Sequence, residues 1–287
     1  MLLSKFKDII NHIIAVYERA DNHNLFLLAS GIAFNILIYL MPILLLAVYI
    51  VGIIFNVSDV VIYLGALLED LLPSTNANFE FINTVLQEVR TVMTNSYLSG
   101  WIGILGLIWV SSLLLSSIRG ALNTIFNIKG TKFFLVYIFK DIFLTILFTI
   151  LVLLYSYIIP ILTIIVELAK SLLPDNIESY FTELILFSAT VVSAFVLFYF
   201  IYRFLPNKKL PFKIILTSTI ISTVMIEIAR FAFAIYISTI GNYGKFYGTY
   251  ALVISLAVWI YYSSLIILLS AEISNYLFEI KSKIFKL

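Results

Sequence analysis

The sequence predicts an all-α polytopic membrane protein: six transmembrane helices, an N-terminal interfacial helix and an outer helical cap. Three observations predict it. Hydrophobic residues make up 62% of the 287-residue chain and charged residues only 12%. Soluble proteins carry roughly a quarter charged residues, so this chain has more apolar surface than a water-facing fold can hide. Six separate apolar runs are long enough to cross about 30 Å of hydrocarbon, which takes roughly 20 residues in a helix. The basic residues also alternate from one connection to the next, as a multi-pass topology requires.

The elements follow in order. Residues 1–24 are amphipathic: Phe6, Ile9, Ile10, Ile13, Ile14 and Tyr17 recur with a helical period, while Lys5, Lys7, Asp8, His12 and Arg19 lie off that face. Such a pattern predicts a helix lying along the cytoplasmic surface. Polar residues interrupt it throughout, so no hydrophobic signal-peptide core is expected there. The membrane domain covers 25–278, with spans at 25–55, 97–118, 142–166, 181–202, 211–237 and 247–278. The first and last exceed one perpendicular crossing, and tilt or a kink at Pro42 absorbs the excess. Within 56–96, two further helical patterns occupy 60–72 and 79–93, separated at Pro73. With Asp59, Glu69, Asp70, Glu80 and Glu88 they suit a helix pair at the outer interface. A tail at 279–287 completes the chain.

Fourteen lysines and arginines fall before the first span, after the second, after the fourth and in the tail. The other three connections hold Arg90, Lys170 and Lys245, three in all. By the positive-inside rule both termini are expected in the cytoplasm.

Several function classes are excluded. The chain has no cysteine, hence no disulfide, thiolate nucleophile or Cys-ligated metal. A net charge of +2 gives no footprint for nucleic acid. His12 and His23 both precede the first span, which leaves an intramembrane serine protease without its base. No H-E-x-x-H, no P-loop and no carboxylate group with metal spacing is present. The expectation is a non-enzyme without cofactor or metal.

Candidate functional residues are those that cost free energy in a bilayer. Glu227 and Arg230 share one face of the fifth span, roughly 24 Å from its cytoplasmic end. Ionisable groups at such depth cost roughly 2.5–3.5 kcal/mol each on insertion scales. They read either as the wall of a polar path or as a self-neutralising pair tethering helices. Asn35 and Tyr39 lie one turn apart in the first span, just before Pro42. That grouping marks either a distorted, cavity-lining helix with Pro42 as a kink or gate, or an interhelical hydrogen bond. Glu272, near the cytoplasmic end of the last span, is expected to form a structural tether with Arg119 or Arg203. Gly100, Gly103 and Gly106 line a close helix contact.

The order of landmarks resembles one family. Leu40-Met41-Pro42 is followed by Trp109 and by Ala121-Leu122-Asn123-Thr124-Ile125-Phe126. Then come Tyr202-Arg203-Phe204-Leu205-Pro206, Glu227 with Arg230 and Tyr236, Tyr247-Gly248, Trp259, Tyr261, Ser263 and Ala271-Glu272. Together, over nearly the whole chain, these resemble the YihY/BrkB family of bacterial inner-membrane proteins. Thr217-Ser218-Thr219 and Ser270 depart from small residues usual in that family. An older ribonuclease label attached to the family finds no support in the residues above. The resemblance implies an envelope role involving transport of lipids or of anionic, amphiphilic compounds. The leading expectation is therefore a transporter or flippase-like carrier working in the lipid bilayer on a lipid or anionic small molecule. A non-transporting envelope scaffold is the alternative, ahead of a lipid-modifying membrane enzyme.

Overall fold

In a computed structural model the chain is helical wherever an element forms. The structure describes residues 2–54, 56–71, 76–94, 96–128, 143–144, 146–147, 150, 175–240 and 244–284. Among the described residues eight helices follow one another. They are α1 (Leu2–Asn22), α2 (Leu25–Ile54), α3 (Val57–Leu71), α4 (Asn76–Thr94), α5 (Ser96–Ile125), α6 (Asp175–Phe204), α7 (Phe212–Ile240) and α8 (Gly244–Ile284).

Five stretches are long and apolar enough to span a bilayer: Leu25–Leu46, Gly100–Ile125, Phe187–Phe204, Phe212–Tyr236 and Val253–Ile280. They correspond to the first, second, fourth, fifth and sixth expected spans. The third, at 142–166, lies almost wholly outside the described residues. At most 39% of any such stretch is buried within the protein, so most of its apolar surface is left for hydrocarbon. This is an integral membrane protein.

Two asparagines in the left-handed region set helix ends. Asn24 (φ 53°) closes α1 and turns directly into α2, its carbonyl accepting from the Leu28 amide at 3.0 Å. Asn127 (φ 51°) ends α5, with the Ile128 amide reaching back to the Asn123 carbonyl at 2.8 Å and the Asn127 amide to Thr124 at 3.2 Å. That six-to-one and five-to-two pair satisfies carbonyls that a helix end leaves open. The second span was expected to stop at residue 118, leaving Arg119 in a connection. Instead α5 runs on for seven residues, and Arg119 is 6% exposed. Nothing between Arg119 and Asn127 breaks a helix, and the fully buried Leu122 and Ile125 prolong its apolar face.

The chain forms two compact units. The first comprises Met1–Ser30, Leu115–Arg230 and Ser263–Leu287. Its core contains Leu25, Leu115, Ile118, Leu122, Ile201, Leu205, Ile215 and Leu268, all fully or almost fully buried. Through it runs a seam of small polar residues: Ser218, Thr219 and Ser222 of α7 and Ser264, Ser270 and Ser274 of α8. At the positions where small residues were expected from the resemblance, Ser218, Thr219 and Ser270 bury completely.

The second unit comprises Gly31–Leu114 and Phe231–Tyr262. Here α2 packs against the glycine stripe of α5. A Cβ at Gly100 would meet the Tyr49 ring at 2.8 Å, one at Gly103 the Leu46 backbone nitrogen at 3.4 Å, and one at Gly106 the Cβ of Pro42 at 3.4 Å. Pro42 itself is buried inside a helix that continues through it. Between the first two spans α3 and α4 pack on each other, a Cβ at Gly65 meeting Leu86 Cδ1 at 3.3 Å, with Ile82 and Met93 buried. Asp59 and Glu88 face outward; the side chains of Glu69, Asp70 and Glu80 lie outside the described ones.

Candidate functional site

The first unit holds two charge clusters. One is built on α1 and the end of α8. Glu272 is completely buried. An isolated carboxylate there would cost several kcal/mol, so it must be compensated by charge and hydrogen bonds. Arg19 Nε donates to Oε1 at 2.8 Å, and His23 Nδ1 pairs with Oε2 at 2.7 Å. The other two guanidinium nitrogens of Arg19 donate to Glu279, at 2.9 and 3.0 Å, in the bidentate fork that suits arginine. The same guanidinium lies 5.6 Å from the centre of the Tyr276 ring, and the Tyr276 hydroxyl bonds His12 Nδ1 at 2.8 Å.

Helical spacing produces this match. Arg19 lies in the last turn of α1 and His23 four residues on, just past its end, the His23 amide bonded to the Arg19 carbonyl at 3.0 Å. Glu272, Tyr276 and Glu279 follow at four and then three on α8. The Glu279 hydrogen bond and the attraction of both carboxylates hold the Arg19 guanidinium above its ordinary value, against the opposing effect of burial. The tether expected at Glu272 is therefore present, but its partners correct the expectation. The two carboxylate oxygens are engaged by Arg19 and by His23, just past the end of α1, instead of Arg119 or Arg203. Arg119 turns its Nε to the Leu205 carbonyl at 3.3 Å. Arg203 sits half-buried in the last turn of α6, where a cation complements the helix dipole.

Further hydrogen bonds draw the neighbouring helix ends together. Asn123 Oδ1 accepts from the Asn207 amide at 3.0 Å. Ser274 donates to the Ile214 carbonyl and Asn275 to the Ile125 carbonyl, each at 3.0 Å. The Tyr202 hydroxyl, fully buried, donates to the Ile267 carbonyl at 2.7 Å. Its single proton is thereby spent, so Ser222 donates to the Tyr202 oxygen across 2.6 Å.

The second cluster is the pair in α7. Arg230 Nη1 lies 3.0 Å from Glu227 Oε2, with the side chains 37% and 18% exposed. Glu227 Oε1 is buried and has no hydrogen-bond partner among the described residues. The structure thus brings Glu227 and Arg230 together. Asn35, Tyr39 and Pro42 belong to the other unit, where Tyr39 is 4% exposed and both Asn35 and Tyr39 engage neighbours. Among the described residues no three histidines, aspartates or glutamates converge as a metal site.

The succession of buried landmarks from Arg119 to Glu272 belongs to a known family. Its model, virulence factor BrkB, matches residues 16–283. The chain belongs to the BrkB family. A UPF0761 membrane protein of Idiomarina loihiensis is 27% identical over 73% of this chain and 70% of its own length. One from Psychromonas ingrahamii is 24% identical over 97% of this chain and 91% of its own. A Bacillus subtilis relative named putative ribonuclease-like protein YfkH is 29% identical over 62% of this chain and 66% of its own. No solved structure matches. The BrkB-family match begins at residue 16, so it takes in Arg19 and His23 as well as Glu272 and Glu279. Sequence reasoning had passed over Arg19, His23 and Glu279. Their signal was the polar i, i+4 pair at the end of an otherwise amphipathic α1.

Proposed function

We propose that this BrkB-family protein is a carrier that moves an anionic amphiphile, a phospholipid or a lipid-linked anion, across the bacterial inner membrane. One observation supports it above the rest: the Glu227–Arg230 pair sits within a membrane-spanning stretch, with its arginine more than a third exposed. A guanidinium offers five N–H donors, and Glu227 engages Nη1. The remaining donors suit a phosphate or carboxylate bidentately. The buried free oxygen of Glu227 gives the pair a site where a proton can be taken up when an anion displaces the carboxylate. In this reading the helix ends gathered in the first unit, including α1 and the close of α8, face the cytoplasm.

The test uses vesicles of phosphatidylethanolamine and phosphatidylglycerol carrying a fluorescent phosphatidylglycerol that is quenched from outside. Wild-type protein is expected to speed its transbilayer movement over empty vesicles, and folded Glu227→Gln or Arg230→Gln to slow it at least tenfold. No acceleration, or unchanged flux in both variants, overturns the reading. A scaffold would leave flux at the empty-vesicle level.

A further inference from the structure

We propose that the cavity enclosed by α1, the start of α2 and the end of α8 is a binding site for one acyl chain of a bilayer phospholipid. Its volume is about 500 Å³. That is within the range of roughly 300–1,000 Å³ found for small-molecule sites. The walls are apolar: Ile13 and Val16 from α1, Leu25 from α2, and Leu269 and Ile273 from α8. Of the lining residues only His12, Tyr17 and Tyr276 carry polar groups, and His12 and Tyr276 bond each other at 2.8 Å.

The surroundings name the occupant. Ile13, Tyr17, Phe26 and Leu277, which also line the cavity, are 63%, 61%, 44% and 42% exposed. Apolar side chains this open, on an amphipathic helix laid against two membrane-spanning ones, are covered by hydrocarbon and not by water. An almost wholly apolar space whose lining includes His12 and Tyr276 suits a lipid tail, with these two residues as its rim. In the His12 tautomer that accepts from the Tyr276 hydroxyl at Nδ1, the ring proton is on Nε2 and can donate to a phosphodiester oxygen. The rim is held in place beforehand, because Arg19 covers the Tyr276 ring while bound to Glu272 and Glu279. This site lies apart from the α7 pair and does not depend on the carrier reading; binding here can be measured where no flux occurs.

The experiment places the full-length protein in nanodiscs of phosphatidylethanolamine and phosphatidylglycerol. A trace of phosphatidylethanolamine bears a diazirine midway along one acyl chain. After irradiation, labelled positions are read by peptide mass spectrometry. Labelling is expected to concentrate on residues 13–17 and 269–273, at least fivefold above the exposed Val192 and Val196 of α6. Val16→Trp and Leu269→Trp, which fill the cavity from opposite walls, are each expected to remove that excess while leaving labelling at Val192 and Val196 unchanged. Even labelling of all lipid-facing helices in the wild type overturns the proposal, whatever the variants do. So does undiminished labelling in a folded tryptophan variant, or an irradiation product that joins two copies of the chain through residues 13–17.

Discussion

Glu272 illustrates how one buried charge fixes the consequences of changing its neighbours. Arg19→Ala leaves a fully buried carboxylate with His23 as its remaining described partner. Removing one member of a buried pair costs about 3–5 kcal/mol, and the 23% exposure of Arg19 puts this case at the lower end. Glu279 is 43% exposed, so Glu279→Ala should cost under about 1 kcal/mol. Thermal unfolding in detergent distinguishes the two; equal losses would show that the fork to Glu279 is what matters. The arginine's raised value gives the sign of any pH effect. Its contribution is complete below the ordinary arginine value and fades only as pH climbs through the higher folded one. Any loss of stability near neutral pH therefore originates elsewhere than in Arg19. Tyr202→Phe removes two buried hydrogen bonds, to the Ile267 carbonyl and the Ser222 hydroxyl, and should cost about 1–3 kcal/mol. The α7 pair was legible in the sequence because its members are three residues apart on one helix. The partners of Glu272 were not, because period and spacing describe a helix's face but not which distant face it meets.

At the level of helices, the apolar runs located five spans to within a few residues at most ends, since twenty apolar residues have few other uses. The packed pair α3 and α4 was equally visible, from a helical period on either side of Pro73. What periodicity missed was the last two turns of α5, where Arg119 interrupts the apolar run without ending the helix. Side-chain burial continues beyond it at Leu122 and Ile125, a tertiary fact that hydropathy does not carry. The glycines separate into two kinds. Gly103→Val would press on the Leu46 backbone and should destabilise by about 1–3 kcal/mol. Gly120, with nothing within 4 Å of an added Cβ, should accept alanine and gain roughly 0.5–1 kcal/mol from the stiffer helix. Unfolding in detergent checks both. A neutral Gly103→Val would mean that α2 and α5 can separate there without loss.

For the molecule as a whole, the topology proposed from charge alternation can be checked cleanly, because the chain contains no cysteine to remove. Single cysteines at Glu18 and Lys208 are expected to react with a membrane-impermeant maleimide only after the inner face is opened; one at Asn56 should react from outside intact cells. All three positions are exposed. Reversal of any one of them would undo the assignment of sides. The α1–α8 contact has a bearing on biogenesis as well. Arg19 and Glu272 are 253 residues apart. At a synthesis rate of about 5–20 residues per second, tens of seconds separate their emergence from the ribosome. During that interval the first helix made has no counterpart, and a chain stalled before its last span never acquires one. Closure of this contact thus waits until the last span has been made, so the first helix of the chain settles only after the last.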